Sequence, residues 1–154
     1  MPDALPQDQP NARRRWMSIL ARSDADSIAR GLRAAGEVPG YRRLRGPEPG
    51  LVMVRGRAGG GGAPFNMGEM TVTRCTVRTD AGLVGHAYIA GRDERRAELA
   101  ALADALLQDP VRHADLQATL VAPLHATLEA RRADIAAKAA ATRVQFFAMR
   151  NMRT

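Results

Sequence analysis

The chain has 154 residues, a formal net charge of +7 and a single cysteine. That length suits one domain able to fold without staples, and Cys75 alone excludes an internal disulfide or a multi-cysteine zinc or iron–sulfur site, as expected of a chain in a reducing cytoplasm. Residues 1–10 lack the apolar core of a signal peptide, and no segment approaches the roughly 20 uninterrupted apolar residues of a membrane span.

Residues 1–11 carry Pro2, Pro6 and Pro10 without periodicity and are expected to form a disordered tail, followed by a single domain over residues 12–154. Trp16, Ile19 and Leu20 fall at i, i+3, i+4 and predict a short amphipathic helix. Ser23-Asp-Ala-Asp caps a second, with Ile28 and Leu32 inward and Gly36 at its end.

Pro39 and Gly40 change the pattern to strands. Tyr41 to Leu44 and Leu51 to Arg57 read as two strands joined by the turn Gly46-Pro-Glu-Pro-Gly. The second is apolar on both faces, which predicts a central or covered strand. Met70 to Arg78 alternates with strong β-branching, and Asp80-Ala-Gly82 turns the chain into Leu83 to Ala90. Asp93 caps a helix with Leu99, Leu102, Leu106 and Leu107 inward and Glu94, Glu98 and Asp104 toward solvent, ending near Asp109-Pro110. In the last helix Leu116, Leu120, Leu124, Leu128 and Ile135 form a stripe, with a break or kink at Pro123 and alanine dominant from Ala126 to Ala141. So thin an outer face suits packing against another subunit, as does the apolar patch of Phe146, Phe147 and Met149. The fold class is α+β: a small antiparallel sheet of about four strands, N-terminal helices and two C-terminal helices.

The loop between the central strands holds the densest polar chemistry. Gly59, Gly60, Gly61 and Gly62 lose more backbone entropy on ordering than other residues would, so a fold that keeps them has a use for bare backbone. Arg55 and Arg57 precede them; Asn66, Glu69, Thr71, Thr73 and Arg74 follow. No Lys-Ser/Thr pair follows the glycines, nothing matches Gly-x-Gly-x-x-Gly, and a strand rather than a helix comes next, so neither nucleotide-loop motif applies. Consecutive N–H groups could cradle an anion with arginine support, or the loop could be a plain hairpin connection. Asn66 and Glu69 could orient a ligand hydroxyl, or Asn66 could form an Asx turn.

Other chemistry is sparse. His86, His113 and His125 lack metal-ligand spacing, so no metal is expected. Cys75 reads as a small buried hydrophobe, and a nucleophilic role would need a base beside it. The net charge invites a nucleic-acid reading, but Lys138 is the sole lysine, the arginines accompany abundant alanine as in a biased composition, and the few aromatics do not interleave with them. No nucleic-acid partner is expected.

Arg14-Arg15-Trp16-Met17, Gly50-Leu-Val-Met-Val-Arg-Gly-Arg57, Gly62-Ala-Pro-Phe-Asn-Met-Gly-Glu69, Thr71-Val-Thr-Arg-Cys75, Gly85-His-Ala-Tyr88, Gly91-Arg-Asp93 and Ala140-Ala-Thr-Arg-Val144 with Phe146-Phe147 together resemble the PhnG family, the small G subunits of the bacterial carbon–phosphorus lyase system. The likeness spans nearly everything after residue 10. The family's Gly-Gly-x-Gly-Ala-Pro-Phe-Asn pattern has Gly61 at its variable position here. The resemblance implies a cytoplasmic core complex with H, I and J subunits, closest to I. It implies a part in transferring alkylphosphonate to ATP with release of adenine, giving ribose 1-methylphosphonate 5-triphosphate. ATP would be a substrate of the complex, with no cofactor held by this chain. The loop and its flanks, Arg55, Arg57, Gly59 to Gly62, Asn66, Glu69, Thr73 and Arg74, become the expected substrate or interface element; a purely structural scaffold role is the alternative.

Overall fold

The computed structural model describes residues 9–59 and 61–144. In chain order these form α1 (Gln9–Arg22), α2 (Ala25–Ala34), β1 (Tyr41–Gly56), β2 (Phe65–Thr79), β3 (Val84–Ala90), α3 (Glu94–Leu106), α4 (Pro110–Leu116), a π-helical turn (Gln117–Val121) and α5 (Ala122–Ala141). The class is α+β, as the sequence implies. Helix α1 opens at Gln9, so the stretch expected as a tail is already helical from residue 9; residues 1–8 lie outside the described residues.

Short polar side chains start the helices by accepting first-turn amides. The carboxylate of Asp24 takes the Ser27 N–H at 2.8 Å, Asp93 that of Arg96 at 2.9 Å, and Asp109 that of Val111 at 2.9 Å. Gly36, just past α2, has φ 112°, a left-handed conformation that glycine adopts without a Cβ clash.

The sheet has three antiparallel strands in the order β1-β2-β3, where the sequence suggested about four. Tyr41 to Leu44 and Leu51 to Arg57 are not separated by a turn. Gly46-Pro-Glu-Pro-Gly50 stays within β1, and register shifts between Arg43 and Arg45 and between Arg45 and Glu48 absorb the extra residues. Pro47 and Pro49 are tolerated because β1 is an edge strand, where an absent N–H leaves no ladder bond unmade.

One face of the sheet is covered. Thr73, Cys75, Val77 and Thr79 of β2 alternate inward, as do Gly85, Ala87 and Ile89 of β3, and α3 lies against both strands. A Cβ at Gly85 would overlap the Ala101 carbonyl and the Ala105 backbone, so glycine sets how closely α3 approaches β3. Behind α3 pack α1 and α2, with the π turn against α2, and together with the end of α4 they bring Trp16, Leu20, Ile28, Leu32, Leu116 and Leu120 into one cluster.

Asp104 is fully buried, contrary to the solvent position its spacing suggested. Its carboxylate accepts from Arg13 Nε at 3.1 Å and Arg13 Nη2 at 2.7 Å, from Trp16 Nε1 at 2.9 Å, and from the His86 backbone N–H at 2.9 Å. One acid thereby joins α1, α3 and β3. Glu98 is also committed, bonding Arg43 and Tyr41 of β1.

The expected disturbance near Pro123 takes the form of the π turn just before it, closed by the Ala122 N–H donating to the Gln117 carbonyl. Pro123, which has no N–H to donate, follows directly at the start of α5, where the helical ladder returns from the π turn to regular spacing. Beyond Leu124, only Leu128 of α5 is packed against the core, and Ile135 is 58% exposed. Phe146, Phe147 and Met149 lie outside the described residues.

Candidate functional site

The β1–β2 hairpin outruns the rest of the sheet. β3 pairs with β2 only from Arg78 to Val72, whereas β1 and β2 continue together from Leu51↔Thr71 to Gly56↔Phe65. The result is a two-stranded arm with no helix on either face. Leu51 is 62%, Met53 53% and Met67 63% exposed, so the strand expected to be covered is bare. Its double-sided apolar character is not explained by this chain's own packing.

Cross-strand partners share a face, so register sorts the arm into two. Val52 with Met70 and Val54 with Gly68 form one face. A register shift after Val54 then leaves Met67 as the extra residue, and its thioether lies over Gly56, where a side chain would clash. Phe65 pairs with Gly56, which extends this apolar face to the tip. Leu51 with Thr71, Met53 with Glu69, and Arg55 with Asn66 form the other, mixed face.

The arm ends in the glycine loop. Gly59 and Gly62 have φ of 63° and 88°, so both need glycine, whereas a Cβ at Gly61 would meet nothing within 4 Å. Gly60 lies outside the described residues.

The candidates therefore separate. Arg55 and Asn66 are cross-strand partners beside Arg57 and the glycines, and Glu69 follows along the arm. Asn66 lies within the β2 ladder. Among the described residues no side-chain hydrogen bond or ion pair engages Arg55, Arg57, Asn66 or Glu69. Thr73 is fully buried, its hydroxyl donating to the Gly91 carbonyl at 2.7 Å, so it belongs to the frame. Arg74 is eight residues along β2 from Asn66, roughly 26 Å at a strand's rise. It shares Glu48 with Arg45, at 3.2 Å and 2.6 Å respectively.

Of the remaining reactive groups, Cys75 and His113 are held within the fold, whereas His86 and His125 are exposed. Cys75 is buried, its Sγ facing the Arg45 carbonyl at 3.5 Å, and burial followed by the nearby Glu98 charge pushes its thiol above its ordinary range, which disfavours the nucleophilic thiolate. His113 bonds the Leu107 carbonyl through Nδ1 at 2.7 Å and packs edge-on to Trp16. His86 meets Thr76 Oγ1 at 3.1 Å. No group of three or more His, Cys, Asp or Glu among the described residues is placed to hold a metal ion. A groove of about 220 Å³ between α1 and β3 is lined mainly by apolar groups such as Met17, Leu20, Ala87 and Ile89.

Fold and site together define a small α+β protein: a helix-backed sheet whose glycine loop and flanking polar residues are carried on a long uncovered arm. The chain belongs to the phosphonate metabolism protein PhnG family, whose model matches residues 11–151. It is 47% identical over 137 residues to the alpha-D-ribose 1-methylphosphonate 5-triphosphate synthase subunit PhnG of Rhizobium meliloti (strain 1021), a match covering 89% of this chain and 87% of that protein. No helix among the described residues is long and apolar enough to cross a membrane.

Proposed function

We propose that this chain is a subunit of a ribose 1-methylphosphonate 5-triphosphate synthase within a carbon–phosphorus lyase core complex, assembled with H, I and J subunits and contacting I most closely. The complex takes ATP and an alkylphosphonate: a phosphonate oxygen bonds to ribose C1′ as the bond from C1′ to adenine breaks, and adenine leaves with the bonding pair and takes up the proton that the phosphonate gives up. This chain holds no cofactor of its own in that scheme.

The observation that carries the reading is the arm, which presents Arg55, Arg57 and Asn66 beside the glycine loop at the end of a bare apolar ribbon. An apolar ribbon that this chain leaves uncovered suits burial in a neighbour. Once it is seated, guanidinium forks and glycine N–H groups at the tip are the donors that match the oxygens of a triphosphate or phosphonate. Its place is to bind and orient charge in a pocket completed by the I subunit, with the bond-breaking groups supplied there. The scaffold alternative has the same ribbon pack on the partner while the tip touches no substrate.

Arg57→Ala and Glu69→Ala chains in the reconstituted complex separate the two. The arm-tip reading expects assembly to survive and KM for ATP or phosphonate to rise about tenfold for Arg57→Ala, the loss of one charge-assisted contact. Unchanged kinetics in assembled complexes, together with a photoreactive ATP analogue that labels only other subunits, would establish the scaffold.

A further inference from the structure

The uncovered face of the sheet base differs in kind from the arm. Helix α3 covers one face, and the opposite side chains stand in register. Arg42 is directly opposite Arg78, Arg45 is opposite Thr76, and Glu48 is opposite Arg74, whose other neighbour is Tyr88. Arg42, Arg45 and Arg78 are exposed and Tyr88 is 51% exposed. Within these rows Glu48 is the sole acid, and it is already shared by Arg45 and Arg74.

Like charges directly opposite on neighbouring strands destabilise a sheet, since their Cβ atoms lie only about 5 Å apart. The Arg42–Arg78 pair is therefore a local cost, and no carboxylate bonds either side chain among the described residues. Farther along the same face comes the row Gly50, Val72 and Ala90, with Val72 buried, and beyond it the apolar series Val52, Met70, Val54, Met67 and Phe65.

We infer that this outer face, from the basic rows along the arm's apolar ribbon, is one continuous docking surface, and that its occupant is an acidic, amphipathic segment of a partner subunit. Carboxylates of that segment lie over Arg42 and Arg78, and its apolar side chains lie along the ribbon. Charge complementarity decides among occupants. A second copy of this face would set arginine on arginine. A nucleic-acid backbone would match the basic rows but would leave the apolar ribbon unsatisfied and meet Glu48 with like charge. Only a protein segment matches both halves. The inference rests on the chain working as a subunit but is independent of whether the arm tip reaches substrate, so its test reads assembly rather than turnover.

An Arg42→Glu/Arg78→Glu chain, tagged and co-expressed with the other subunits of its synthase, is expected to recover at least roughly tenfold less partner at low salt than the native chain. Association of the native chain should weaken as salt screens the contact. Full partner recovery by a folded reversed chain overturns the inference. Should the reversal disturb folding, arginine modification by phenylglyoxal needs no substitution: Arg42 and Arg78 should react about tenfold more slowly in the native complex than in the free full-length chain. Equal rates overturn it. So does a reversed chain that loses only RNA binding or self-association while its assembly stays intact.

Discussion

The indole N–H of Trp16 donates to Asp104 Oδ1 at 2.9 Å across the contact between α1 and α3. The same carboxylate takes both the Arg13 fork and the His86 amide, so three segments distant in sequence meet on one buried acid. The apolar cluster holds these elements together, and Asp104 fixes their relative positions.

Removing the acid should therefore cost far more than a surface change. Asp104→Ala leaves the Trp16 N–H, the His86 amide and the Arg13 guanidinium without their acceptor, and about 3 kcal/mol is expected to be lost. Asp104→Asn keeps the shape but turns an amide N–H toward donors, so it should not restore stability. Urea unfolding of both variants checks this. A loss below about 1 kcal/mol for the alanine would show that the surrounding packing carries the joint.

Gly85 supports the same joint from the sheet side. A methyl group there overlaps the Ala101 carbonyl and Ala105 backbone, and helix backbone cannot swing aside as a flexible side chain can. Gly85→Ala should destabilise by about 2 kcal/mol through displacement of α3. Gly61→Ala, in open space at the arm tip, should change stability by less than about 0.5 kcal/mol.

The approach of α3 over Gly85 is not legible in the sequence, whereas the helix starts and the inner strands are. Caps at Asp24 and Asp93 and the alternation through β2 and β3 followed from local chemistry, and the structure repeats them. Asp104 was misplaced because helical spacing assigns a solvent face only when a helix has one. Helix α3 is buried almost all round from Ala100 to Leu107, so polarity at one position was no guide to exposure. Pro47 and Pro49 looked like a turn because their tolerance in an edge strand depends on knowing which strand is the edge. The tip cluster was readable as a segment, yet separating Arg74 from Arg55 required the register of the hairpin.

Glu98 ties β1 to α3 through Arg43 at 2.8 and 2.7 Å and Tyr41 at 3.0 Å. The Arg43 bond holds the Glu98 carboxyl below its ordinary value of 4.5, against the opposing effect of partial burial. Its contribution is thus complete above that value and is lost as the pH falls through the lower, folded one. Tyr41 runs the other way. Burial, then the Glu98 bond, raises its phenol above 10.0, so its contribution is complete below that and fades as the pH rises through the raised value. Glu98→Gln should flatten the acid limb of a stability–pH profile, with little change at the alkaline end beyond that passed on to Tyr41. An acid limb identical to that of the native chain would rule out this origin.

The arm separates folding from assembly. Phe65 and Met67 are 50% and 63% exposed and lie beyond the three-stranded part of the sheet, so little of the chain's own stability depends on them. Phe65→Ser/Met67→Ser should leave the unfolding free energy read from urea denaturation nearly unchanged, within about 0.5 kcal/mol, because no core contact is lost. Co-expressed with its partner subunits, the same variant should elute mainly as the free chain, since an apolar ribbon stripped of its largest side chains loses its reason to be buried. Size-exclusion chromatography of the co-purified mixture measures both species at once. A complex formed in native yield would show that the ribbon's apolar face is not where the partner binds.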